Sequence, residues 1–285
     1  MNAVTEGLYE ASFIRNFGVV THEEQARLRN ARVTVVGAGG VGGITLIQLA
    51  RMGVGSIHVI DRDQFEASNI NRQMLSAVSK LGVDKAEVAG QVLRDINPEI
   101  KVRTTISFVT EENAAELLAD SDVIVDATDN LVSRVVIHRA AAKLGIPSIW
   151  IAVTPPFRGG VMSLTPGSMP YEQVLRHPSY QKELTPEVRD QVNALKDGRA
   201  LHSVSQGALK EWAEGYLKKE VAWAVLAPVA NIVGVLASFE AFKLVIRRPG
   251  LDPVIGPKLI KIDLAKEQMV QAIQPEEGSW DNTCL

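Results

Sequence analysis

Short apolar runs alternate with amphipathic stretches through the first half of the chain. Residues 33–36, 57–60, 102–106, 123–125 and 148–151 are brief runs rich in Val and Ile, of strand length. Residues 44–52, 84–96, 111–118 and 130–144 between them read as helices. In the 84–96 stretch Val88, Val92, Leu93 and Ile96 share one face. Asn97-Pro98 stops that helix, and Gly145 ends the last one. Upstream, Thr21-His22-Glu23-Glu24 fits a capping box, which predicts a short helix to about Arg29. Strand–helix alternation of this kind predicts a parallel, doubly wound α/β sheet. Residues 61–76 interrupt it as an irregular polar segment.

The rhythm breaks after Pro155-Pro156. Residues 159–164 read as a further strand. Residues 168–222 are polar and helical, with eight basic and eight acidic side chains, which suits an exposed helical insert rather than a basic binding arm. A long helix over 221–246 and two short strands, 258–262 and 268–273, close the fold as an antiparallel extension. The expected division is a core with an N-terminal helix over 1–167, an insert serving substrate or acting as a lid over 168–222, closing elements of the same domain over 223–273, and a flexible tail over 274–285.

Composition narrows the class. The 285 residues are 46% hydrophobic and 22% charged, enough to bury a sizeable core. A net charge of −3 gives no broad attraction to DNA or to an anionic membrane. The apolar stretch 221–246 is interrupted by Pro228, Asn231, Glu240 and Lys243, so a buried core helix is the better reading than a span. Cys284 is the single cysteine, which rules out an intramolecular disulfide and a CxxC metal pair. The start of the chain lacks the basic and apolar regions of a leader, and a cytoplasmic location is expected. His22, His58, His138, His177 and His202 lack metal-ligand spacing, and Trp150, Trp212 and Trp223 read as packing residues.

The chemistry concentrates at Gly37-Ala38-Gly39-Gly40-Val41-Gly42, between the first strand and the first long helix. Glycines there let backbone N–H groups approach a phosphate at a helix N-terminus. Asp61 ends the next strand and is placed to accept hydrogen bonds from a ribose. This is a Rossmann-like fingerprint. In that architecture ligands bind where strand order reverses, so the loop after the fourth strand, Asp126-Ala127-Thr128-Asp129-Asn130, should face the glycine loop. A carboxylate beside polyphosphate is repulsive without a metal between them, so Asp129 points to Mg²⁺; capping of the following helix is its plainer role. Arg72 and Lys85 are cations suited to charge developing in nucleotidyl transfer, although either alone reads as a surface cation.

These motifs, in this order and spacing, resemble the ThiF/MoeB/HesA family, whose fold is shared with the adenylation domains of ubiquitin-activating enzymes. The resemblance rests on the glycine loop, Asp61-Arg62-Asp63, Ser68 to Gln73, Asp84-Lys85-Ala86 with Asn97-Pro98, and Asp126 to Arg134. It implies ATP- and Mg²⁺-dependent adenylation of a carboxylate on a carrier protein, a peptide C-terminus or a small acid. By motif position, Gly37, Gly39, Gly40 and Gly42 would cradle the nucleotide, Asp61 would hold the ribose, Asn69, Arg72 and Lys85 the triphosphate, and Asp129 the magnesium. Arg15, in Ile14-Arg15-Asn16-Phe17-Gly18, resembles an arginine supplied across the interface of the family's typical homodimer. Many relatives carry a crossover-segment cysteine and paired zinc-binding CxxC motifs. This sequence has neither, so no zinc is expected, and a thioester step has only Cys284 to use. Two other classes satisfy part of the pattern: an NAD-dependent oxidoreductase and a non-catalytic, nucleotide-gated binding protein.

Overall fold

A computed structural model describes residues 7–282. Cys284 and the first six residues of the segment read for a leader lie outside them. Two N-terminal helices, α1 (Leu8–Phe13) and α2 (His22–Asn30), precede β1 (Arg32–Val36), α3 (Gly40–Arg51) and β2 (Ser56–Ile60). Then come α4 (Lys85–Ile96), β3 (Lys101–Thr105), α5 (Ala114–Leu118), β4 (Val123–Asp126), α6 (Leu131–Leu144) and β5 (Ser148–Thr154). The second half contains β6 (Arg158–Leu164), α7 (Tyr171–Val174), α8 (Pro186–Ser205), α9 (Lys210–Leu217), α10 (Ala227–Ile246), β7 (Leu259–Asp263) and β8 (Val270–Ile273). The capping box predicted at Thr21 is present, with Glu24 N–H on the Thr21 hydroxyl and Thr21 N–H on the Glu24 carboxylate.

The strands form one sheet in the order β3-β2-β1-β4-β5-β6-β7-β8. The first five in that order run parallel, and β6, β7 and β8 are antiparallel. Successive side chains along a strand serve opposite faces. Val33, Val35, Val123, Val125, Ile149 and Ile151 enter a core under α2, α3, α4 and α10. Val36, Ile124, Trp150 and Ala152 enter a second core with α5, α6, α7 and α8. Burial on both sides explains why these strands read as continuous apolar runs. Strand order reverses between β1 and β4, whose register pairs Val36 with Asp126.

Two helix boundaries and two other features differ from expectation. The helix predicted over 111–118 begins only at Ala114, because the Asn113 side chain bonds Thr110 N–H and the Phe108 carbonyl and shapes a turn there. The long helix begins at Ala227 rather than 221. Pro228 fits only its first turn, and the preceding residues run as a loop whose Trp223 indole donates to the Val153 carbonyl. The insert is less exposed than its composition suggested: Tyr171, Val174, Leu175, Leu184, Val188 and Val192 join the second core. The tail is docked as far as it is described. Trp280 donates from its backbone to the Val174 carbonyl and from its indole to the Pro257 carbonyl, both at 2.7 Å, and Asn282 donates to the Leu175 carbonyl.

By length and composition α10 qualifies as a membrane span. It packs against α3, β5 and β6, and its Glu240 is fully buried. That carboxylate accepts from Ser163 Oγ (3.0 Å), Val254 N–H (2.7 Å) and Lys243 Nζ (2.6 Å), which compensates its burial.

Candidate active site

A cavity of about 250 Å³ opens at the carboxyl ends of the strands, where strand order reverses. The glycine loop forms one wall. Gly37 adopts φ +99°, and a Cβ there would lie 2.5 Å from the Ala127 carbonyl oxygen, so only glycine brings the β1 and β4 loops this close. At Gly42 a Cβ would meet the Gly37 carbonyl oxygen at 1.8 Å. Gly42 therefore permits the tight entry of the loop into α3 and does not itself line the cavity, in contrast to Gly37, Gly39 and Gly40. No side chain caps α3, which leaves its N-terminal end available to an anion.

Asp61 is held at the end of β2. One carboxylate oxygen accepts from Ala38 N–H (2.7 Å) and the other from Asp63 N–H (2.8 Å). Burial nevertheless raises its pKa above the usual carboxylate range, with those two bonds opposing. The acid thus braces the glycine loop while lining the cavity.

Residues 67–73 supply the next wall. Asn69 is buried, with its side chain turned into its own turn: Oδ1 accepts from Glu66 N–H at 3.2 Å, and its carbonyl accepts from Arg72 and Gln73 N–H. It stands behind the cavity wall that Arg72 and Gln73 form. Arg72 donates to the Ser68 carbonyl (3.0 Å) and to Asn71 Oδ1 (2.9 Å). Burial lowers its pKa from the ordinary guanidinium value, and Asp129 opposes that shift. Gln73 is buried beside Gly39, and its Oε1 has no hydrogen-bond partner. An orphaned buried acceptor on a cavity wall is a polar atom awaiting a ligand or water. Lys85, buried at the start of α4, lies 3.3 Å from Asp63 Oδ2.

Asp126 and Asp129, three residues apart, have different surroundings. Asp126 is fully buried and lies 2.7 Å from Arg134 Nε and 3.1 Å from His138 Nε2. Asp129 is exposed, lines the cavity and makes no hydrogen bond or ion pair with a described residue. The cap of α6 is Asn130, whose Oδ1 accepts from Ser133 N–H at 3.0 Å. The capping role weighed for Asp129 therefore belongs to its neighbour. Among the described residues no three His, Cys, Asp or Glu side chains cluster as a metal site. A lone carboxylate fits a magnesium ion held chiefly by phosphate oxygens.

Sequence reasoning missed the far wall. Lys196 and Arg199, one helical turn apart on α8, line the cavity with Arg134, Ile151, Ala152, Val153 and Trp223. The only sequence signal was their i, i+3 spacing in a segment read as an exposed insert. Arg15 lies in a short 3-10 turn, exposed and off the cavity of its own chain. The neighbouring Asn16 side chain bonds the Met52 carbonyl, past the C-terminal end of α3 and so toward the amino ends of the strands.

Comparison with known proteins identifies the family. Residues 12–283 match the model described as the ThiF family. The chain is 32% identical over 243 residues to the sulfur carrier protein adenylyltransferase of Thermus thermophilus, covering 82% of this chain and 85% of that one. It is 42% identical over 126 residues to the probable adenylyltransferase/sulfurtransferase MoeZ of Mycobacterium tuberculosis, covering 44% and 32%. The solved structure of E. coli MccB with AMPCPP and selenomethionine MccA superposes with a TM-score of 0.70 at 20% identity, over 95% of this chain and 72% of that one. At that identity the likeness concerns the fold. Against several curated relatives the chain spans only 28% to 53% of their length. With its family match running over nearly all of its length and a relative at 32% identity covered over 85% of its own length, the chain belongs to the ThiF family.

Proposed function

We propose that the protein is an ATP- and Mg²⁺-dependent adenylyltransferase that activates a carboxylate as an acyl-adenylate. The observation that carries this reading is the shared cavity: it is lined at once by the glycine loop, Asp61, Arg72, Lys85 and Asp129. The α3 N-terminus and the orphaned Gln73 Oε1 fit a polar, anionic ligand. In this scheme a substrate carboxylate oxygen attacks the α-phosphorus of ATP. The bond from that phosphorus to the bridging oxygen breaks, and pyrophosphate leaves with the electron pair. Arg72 and Lys85 hold the phosphates and offset charge as it moves to the leaving group. Asp129 would hold Mg²⁺, which supplies charge neutralisation between phosphate oxygens and protein carboxylate.

The carboxylate that accepts the adenylyl group is a carrier-protein C-terminus, as the name of the Thermus relative suggests, a peptide C-terminus or a small acid. A second copy of the chain would bring Arg15 to the site, since each chain's own Arg15 stands away from its cavity. The single cysteine, Cys284, leaves adenylation as the step assigned to this chain. ATP–pyrophosphate exchange with the cognate acid is the test. Arg72→Ala and Lys85→Ala should each reduce exchange roughly 10²–10³-fold, the scale for losing one contact to developing charge. Undiminished exchange in both variants removes these residues from the mechanism. Tight NADH binding with no binding of ATP·Mg²⁺ would replace the reading with an oxidoreductase, and ATP binding without turnover across a broad acid panel would leave a nucleotide-gated binder.

A further inference from the structure

The far wall of the cavity carries more positive charge than adenylation of a simple acid uses. Arg134 is balanced by Asp126 at 2.7 Å. Arg199 is almost wholly buried and is held by a neutral group: its Nε donates to the Asn282 carbonyl at 3.0 Å and its Nη2 to Asn282 Oδ1. Lys196 is half-buried, faces the cavity and makes no hydrogen bond or salt bridge with any described residue. Burial lowers the pKa of both Lys196 and Arg199, and Arg134 pushes each further down. Asp129 is the one carboxylate that favours charged Lys196, and that acid is committed to the metal in the scheme above. Two cations without a carboxylate of their own are costly in a partly dry cavity unless a ligand supplies the negative charge.

The triphosphate is a poor candidate for that ligand. Lys196 and Arg199 stand on α8, which packs on α6 and α9, whereas the glycine loop opens α3, which packs on α4 and α10. The reacting carboxylate is a poor candidate as well. An oxygen that must attack phosphorus loses nucleophilicity when two cations draw on its electrons, whereas a neighbouring carboxylate that takes no part in bonding can be clamped freely.

Building on the adenylation reading, we propose that Lys196 and Arg199 form a second anion subsite that recognises a carboxylate beside the one activated. The substrate class is then an acid with two nearby carboxylates, either an acidic residue at a peptide C-terminus or a small dicarboxylic acid. Lys196 is the specificity-determining residue, and Arg199 is fixed behind it by the C-terminal tail.

The test measures binding by titration calorimetry on the full chain with AMPCPP and Mg²⁺. The probes are glutarate and acetyl-Gly-Glu, each against its neutralised partner, glutaramate and acetyl-Gly-Gln. A diacid should bind about tenfold or more tightly than its half-amide, and Lys196→Met should erase that preference while Lys196→Arg keeps it. AMPCPP affinity should change less than about threefold in both variants. Preference for glutarate would assign a small diacid, and preference for acetyl-Gly-Glu a peptide end. Equal binding of diacid and half-amide, no binding of any acid, or a loss of AMPCPP affinity in Lys196→Met each overturns the subsite. If the diacid preference appears but no acid supports pyrophosphate exchange, adenylation falls and the subsite stands. If monocarboxylates drive exchange as well as diacids do in wild type, and Lys196→Met leaves exchange with both unchanged, the subsite falls and adenylation stands.

Discussion

His177 shows how much a single side chain's surroundings decide. It is buried against Tyr171, with ring centroids 5.4 Å apart, and its Nδ1 meets Ser179 Oγ at 2.8 Å. Burial, reinforced by Arg199, Arg134 and Arg139, holds its pKa down to about 3. A folded-state pKa below the unfolded one contributes stability that is complete above about pH 6.5 and is lost as pH falls toward 3. Between pH 7 and 5 the loss from this residue should be on the order of 2 kcal/mol. The stability difference between wild type and His177→Gln, read from urea unfolding, should therefore shift by that amount in the variant's favour between pH 7 and 5, and a difference constant from pH 7.5 to 5 would contradict the assignment. The expectation from sequence was only that this histidine lacks metal-ligand spacing. Its cationic neighbours come from α6 and α8, far away in the chain.

At the scale of one element, the β4–α6 connection separates two roles that adjacent residues share in sequence. Asn130 caps the helix and Asp129 is left facing the cavity. Asn130→Ala should lower stability by about 1 kcal/mol. Asp129→Ala should leave the denaturation midpoint within about 0.5 kcal/mol of wild type while ATP–pyrophosphate exchange collapses. Equal destabilisation by both substitutions would return Asp129 to the cap. The helix over 131–144, its glycine stop and the strand before it were all legible from apolar periodicity. The identity of the cap was not, because Asp and Asn are both good caps and only backbone geometry chooses between them.

Across the whole molecule, the last described residues fasten the insert to the core. Asn282 accepts Arg199 from α8 and donates to the Leu175 carbonyl after α7, while Trp280 reaches the Pro257 carbonyl before β7. Asn282→Ala should cost about 1–3 kcal/mol by orphaning a buried guanidinium, and amide exchange should quicken in α7 and α8 before it does in β1 or β4. Unchanged protection there would mean that the tail merely rests on the insert. Its sequence, mostly polar with three acidic residues in 274–285, carries the composition of a loose end. A few long-range hydrogen bonds suffice to order it.

The sequence alone determined the layered sheet, since strand and helix periods are local and each run satisfies its own backbone. It also located the glycine loop, Asp61, Arg72, Lys85 and Asp129, because turn chemistry and motif spacing lie within short windows. Tertiary structure decided what local windows cannot contain. It turned Asn69 and Gly42 into supports for the cavity wall, gave the α6 cap to Asn130, and brought Lys196 and Arg199 from an apparently solvated insert to the site. Whether a charged side chain on a helix meets water or a ligand depends on what packs over the opposite face, and here those partners are α6, α9 and Asn282.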